Sequence, residues 1–184
     1  MRRNYPRFVM AGLDPAIHVL LLPIQRKKDV DARDKPGHDE GTSMPSDASA
    51  WSLHSQLKKD TIDIGDLPLC KVLVIKDAHY PWLLLVPRRE GAVEIIDLDE
   101  VAQAHLMTEI ARVSRALREV TQCHKLNVAA LGNAVPQLHV HIIARFRNDA
   151  AWPKPVWGAA PPRVYERDAL HSLVTPLRKK IWLD

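Results

Sequence analysis

The nine residues Gln137-Leu138-His139-Val140-His141-Ile142-Ile143-Ala144-Arg145 limit what this chain can fold into more than any other stretch. Branched and apolar residues favour an extended strand. The two-residue repeat of a strand then puts Gln137, His139, His141 and Ile143 on one face and Leu138, Val140 and Ile142 on the other. One face suits a core, and the other carries two imidazoles beside an amide. Imidazole is the side chain that near neutral pH can act as a nucleophile, carry a proton or bind a metal. Three readings of the pair are open: surface histidines that fall at i and i+2 by chance, a metal site, or a nucleophilic site. A metal needs further ligands nearby, and the residues that follow, Ala144, Arg145, Phe146 and Arg147, supply cations instead. No cofactor is called for. With seven glycines and no G-x-x-x-x-G-K, the chain has no Walker-type phosphate loop.

The remaining segments supply a sheet for that strand to join. Trp51 to Asp60 reads as a short helix capped from Ser46-Asp47-Ala48-Ser49, with Trp51, Leu53 and Leu57 turned inward. Thr61 to Gly65 and Cys70 to Lys76 read as strands, Asp77 to Pro81 as a turn, and Trp82 to Pro87 as an apolar run of strand length. An Asp cap near 97 or 99 opens the one long helix, in which Leu106, Ile110, Val113, Leu117 and Val120 form a stripe for one face of a sheet. His105 lies in this helix as a packed or surface residue. Lys125 to Leu131 is the next strand, and Gly132 to Pro136 turns into the histidine strand. This order predicts an α+β fold, an antiparallel sheet of about five strands with helices against one face. A loop with Trp152 and Trp157 follows, then a helix from Tyr165 to Ile181 with Pro176 as a kink.

Length and composition set the limits. A chain of 184 residues holds one domain with a real core. The division expected is a leader over 1–43, the α+β domain over 45–150, and an extension over 151–184 packed on it. The leader is rich in charge and turn residues without a sustained period, and it resembles the accidental translation of an interspersed bacterial repeat. The expected start is then Met44, and His18 and His38 have no role. The net charge of +4 is spread in mixed sign, which suits a small phosphorylated ligand and does not call for a specific nucleic-acid partner. Cys70 and Cys123 form no C-x-x-C, a pattern that fits a reducing cytoplasm. No apolar run reaches the roughly eighteen residues of a membrane span, and Phe8 to Ile24 is broken by Asp14-Pro15 and lacks a cleavage site.

Gln137-Leu-His139-Val-His141-Ile-Ile-Ala-Arg145 resembles the signature of the histidine triad (HIT) family, His-φ-His-φ-His-φ-φ with φ apolar. The order of elements from about Thr61 to Arg145 is similar too. That resemblance implies a nucleotide hydrolase or nucleotidyl transferase acting on a nucleoside-phosphate substrate, and a homodimer. It makes His139 the covalent nucleophile, His141 a phosphate contact, Asp77 the holder of the ribose hydroxyls and Asn133 the Asn before the phosphate loop. Arg145 joins them as a further phosphate contact. The sequence departs from the family at two places. Gln137 stands at the first triad position as a catalytic residue whose amide is expected to donate to the phosphoryl oxygens but cannot carry a titrating proton. The glycine-rich loop is cut to Ala134-Val135-Pro136. Both departures keep a second reading open, a HIT-fold nucleotide-binding or interaction module without turnover.

Overall fold

The computed structural model describes residues 51–183. The expected leader over 1–43, with His18 and His38, and the proposed cap at 46–49 lie outside the described residues. The elements are α1 (Ser55–Asp60), β1 (Thr61–Asp66), β2 (Cys70–Ile75), β3 (Trp82–Pro87), a 3₁₀ turn (Ile95–Asp97), α2 (Glu100–Thr121), β4 (Lys125–Ala129), β5 (Val140–Arg145) and α3 (Arg167–Trp182). The strands form one antiparallel sheet in the order β1-β2-β3-β5-β4, the α+β architecture expected.

β3 reads as unbroken apolar sequence because it is buried on both faces of the sheet. Leu83 and Leu85 point to the larger core, where they meet Leu106, Val113 and Leu117 of α2 and Leu177 and Ile181 of α3. Trp82, Leu84 and Val86 point to a smaller cluster on the opposite face, covered by Leu57 of α1 and by Ala151 and Val156 of the loop after β5. The sheet is therefore a middle layer. The second face is roofed by the two segments that flank the strands in sequence.

α2 starts where expected, with the Asp99 carboxylate accepting from Ala102 N at 2.7 Å, and it ends at Gln122 in the left-handed region. Its stripe is buried as far as Leu117, while Val120 is half-buried and His105 is exposed. The stripe hides one charge, Glu109. Its two carboxylate oxygens accept from Leu69 N at 2.7 Å and Cys70 N at 2.9 Å, so the helix satisfies two buried donors of the β1–β2 connection. Cys70 and Cys123 are buried free thiols.

Several boundaries differ from expectation. α1 begins only at Ser55, with His54 as its cap, and Trp51 and Leu53 pack half-buried ahead of it. β4 stops at Ala129, two residues early, and β5 begins at Val140, three residues late. The reason is the partner: past Leu85↔Val140 the ladder ends, and Leu138 N turns away to Ala92 O at 2.9 Å. α3 runs as one helix through Pro176, where a kink was expected.

Candidate active site

Although only His141 lies within β5, the alternation read from sequence holds across the whole stretch. Leu138, Val140 and Ile142 belong to the core under α2, and His139 and His141 turn to the other side with ring centroids 5.0 Å apart. That side is not open. His139 is 6% and His141 5% exposed, because Trp82 of β3 and Trp157 of the C-terminal loop stand against His141 at 5.5 and 5.3 Å.

The two imidazoles have different surroundings. His139 Nδ1 lies 2.6 Å from the carbonyl oxygen of Gln137, which can only accept, so the proton sits on Nδ1 and the Nε2 lone pair is bare. Among the described residues nothing hydrogen-bonds that Nε2. Gly132 closes against the same ring: a Cβ there would come within 2.9 Å of His139 Cε1, so only glycine lets the loop backbone approach. His141 uses both nitrogens. Nδ1 accepts from the Trp82 indole N–H at 3.0 Å, and Nε2 lies 3.0 Å from the Leu131 carbonyl. Burial, aided by the neighbouring His139 and only partly opposed by Leu131, pushes its pKa down to about 4.

Asp77 sits at the start of the turn after β2, buried to 7%. It lines a cavity of about 460 Å³ together with Ile75, Trp82, Val156, Trp157 and Pro162. Burial raises its pKa, but hydrogen bonds from Arg163 N, His79 N and the His79 ring outweigh that and hold the carboxyl below its ordinary range. Asn133 is exposed in the loop between β4 and β5.

The structure sets two expected site residues to other contacts. The Gln137 amide accepts from His54 N at 2.9 Å and donates to Ser52 O at 2.9 Å, so it ties down the segment before α1. Arg145, expected near the phosphate, is turned inward at 2% exposure. Its guanidinium donates to both oxygens of Asp149, to Asn127 Oδ1 and to Lys154 O. Trp82 and Trp157, by contrast, belong to the site and were read from sequence only as strand and loop aromatics.

Among the described residues, no group of three or more His, Cys, Asp or Glu could hold a metal ion. No helix among them is long and apolar enough to cross a membrane.

The family model for the HIT domain matches residues 56–148, half of the chain. The chain belongs to the histidine triad family. Among solved structures, the HIT chain is similar to a histidine triad protein of Bradyrhizobium japonicum with 72% identity, over 72% of this chain and 99% of that one, at a TM-score of 0.72. A histidine triad protein of Marinobacter aquaeolei is 41% identical, over 72% of this chain and 97% of that one, with a TM-score of 0.70. One of Sinorhizobium meliloti is 37% identical, over 71% and 96%, with a TM-score of 0.69. No curated protein matches. HIT proteins are in general nucleotide hydrolases and transferases. The HIT match ends at 148, so Trp157, which walls the imidazole pair, comes from beyond the matched residues.

Proposed function

We propose that the chain is a nucleotide hydrolase or nucleotidyl transferase that works at an α-phosphate through a covalent nucleotidyl-His139 intermediate. The observation that carries this reading is the 2.6 Å contact of His139 Nδ1 with the Gln137 carbonyl, which leaves the Nε2 lone pair bare. In the first step the Nε2 lone pair bonds to phosphorus and the P–O or P–N bond to the leaving group breaks, with the leaving group taking the electron pair and, where it is an amine, leaving with a proton taken up from solvent. The imidazole then carries positive charge, and its Nδ1–H donates more strongly to the Gln137 carbonyl. In the second step water, or another acceptor, bonds to phosphorus and the N–P bond returns its pair to Nε2. A proton from water leaves to solvent.

His141 stays neutral and, on substrate binding, shares its Nε2 proton between the Leu131 carbonyl and a phosphoryl oxygen, since such transfers depend mostly on positioning and electrostatics. Asp77, which lines the cavity, is assigned the ribose hydroxyls, and Asn133, in the loop between β4 and β5, a phosphate contact. Arg145 has no part in this mechanism, because its donors are turned inward. Substrates in this reading are dinucleoside polyphosphates, nucleoside phosphoramidates or acyl adenylates.

Intact-mass measurement after mixing with an adenylated substrate is the test. A nucleotidyl adduct is expected on the native chain and not on His139→Ala. Ligand binding by calorimetry with neither adduct nor product would overturn the enzyme reading in favour of a binding module, which Gln137 and the short loop at 134–136 would suit.

The homodimer belongs to the same proposal. β4 is an edge strand with Val128 48% exposed, and Leu131 beside it is 43% exposed. Apolar surface beside unpaired backbone invites a second copy. Sedimentation is expected to give twice the chain mass at micromolar concentration, and a monomer there would count against the dimer.

A further inference from the structure

Trp82 stands one strand away from His141, and among the described residues no other donor reaches His141 Nδ1. An indole N–H can only donate, so Nδ1 must present its lone pair. The Leu131 carbonyl can only accept, so Nε2 must carry the proton. The two neighbours, one from β3 and one from the end of the β4 segment, demand the same tautomer. A second proton on His141 would set N–H against N–H at the indole. The titratable group facing the ring is His139, and Trp157 closes the remaining side without a charge.

We infer that Trp82 is a positioning residue, whose indole N–H holds His141 as the neutral imidazole protonated at Nε2. The consequence for chemistry is that His141 enters each turnover as a fixed one-proton donor beside the nucleophile. It never competes with His139 for a phosphorus atom and never arrives as a cation. The role in turnover rests on the function proposed above; the tautomer itself does not.

The test uses the full chain labelled with ¹⁵N at histidine and read by long-range ¹H–¹⁵N correlation. In the native protein His141 is expected to show a bare Nδ1 and a protonated Nε2, unchanged from pH 8 to pH 5. Trp82→Phe keeps the ring and removes the donor. It is expected to leave the Nε2 proton hydrogen-bonded to the Leu131 carbonyl but to free Nδ1 for a second proton, raising the titration by about one pH unit, the size of one net hydrogen bond. Adduct formation in that variant should gain a matching ionisation in its pH profile. An Nδ1-protonated His141 in the native chain, or an ordinary titration near pH 6.5, would overturn the inference without any variant. So would an unchanged titration of His141 in Trp82→Phe. Absence of an adduct alongside the expected spectra would defeat the enzyme reading and leave the tautomer standing.

Discussion

Asp149→Ala should destabilise the protein by about 3 to 5 kcal/mol, the size found when one partner of a buried ion pair is removed. The two side chains are each 2% exposed, and the contact is two-pronged: Arg145 Nε to Oδ2 at 2.7 Å and a terminal guanidinium nitrogen to Oδ1 at 3.0 Å. The same carboxylate accepts from Phe146 N and Ala151 N, so its loss also leaves two backbone donors of the loop without their acceptor. Asn127, the Lys154 carbonyl and the rings of Tyr80 and Trp152 remain around the cation. They soften the cost without neutralising the charge. Asp149→Asn should recover part of the loss through its amide oxygen. Urea unfolding measures both, and a cost under about 1 kcal/mol for Asp149→Ala would show that water reaches the guanidinium and that the pair does not anchor the loop.

The second large effect is on pH dependence. The folded pKa of His141 is pushed down to about 4 by burial, against an ordinary 6.5. Between those values the unfolded chain binds a proton that the folded one refuses, so stability falls as pH falls through this window and is fully present above it. From pH 7 to pH 5 the loss should be about 2 kcal/mol, from 1.36 kcal/mol per pKa unit. Asp77 and Asp149 are both held below the ordinary carboxylate range, so their contributions fade only at lower pH and leave the upper window to His141. Denaturation curves at pH 7, 6 and 5 for the native chain and for His141→Gln give the answer. An equal slope in the variant would assign the acid sensitivity elsewhere.

How much of this could be read from the sequence depends on how far each residue's partners lie from it along the chain. The division of faces at His139 and His141 was legible because it depends only on the geometry of an extended chain. The strand at β3 was legible from its unbroken apolar run, but its burial on both faces depends on segments far away in the chain. Arg145 was misplaced because spacing puts it on the same face as His141 but cannot show Asp149 folding back from the loop to take its charge. Trp82 was invisible as a site residue because its partner depends on the pairing of β3 with β5, across 59 positions. Gln137 stood out as a departure from the family, yet its two partners lie 83 and 85 positions away in a segment read only as a short helix. The helix start at Ser55 was missed because a histidine ring took the place of the usual hydroxyl or carboxylate cap.

The loop that carries Trp157 is tied to the sheet by the Arg145 contacts to Asp149 and Lys154, and its far end by Arg163, which bonds Asp77 and Ala78. Both ends are thus fixed before any ligand arrives, and the conformational entropy of that wall is lost on folding instead of on binding. A ligand entering beside Trp82 and Trp157 meets a preorganised surface and loses less affinity to ordering the protein. Loosening either tie would leave the imidazoles and their chemistry in place while weakening ligand capture, so remote changes at Asp149 or Arg163 would act on affinity through the order of the empty site.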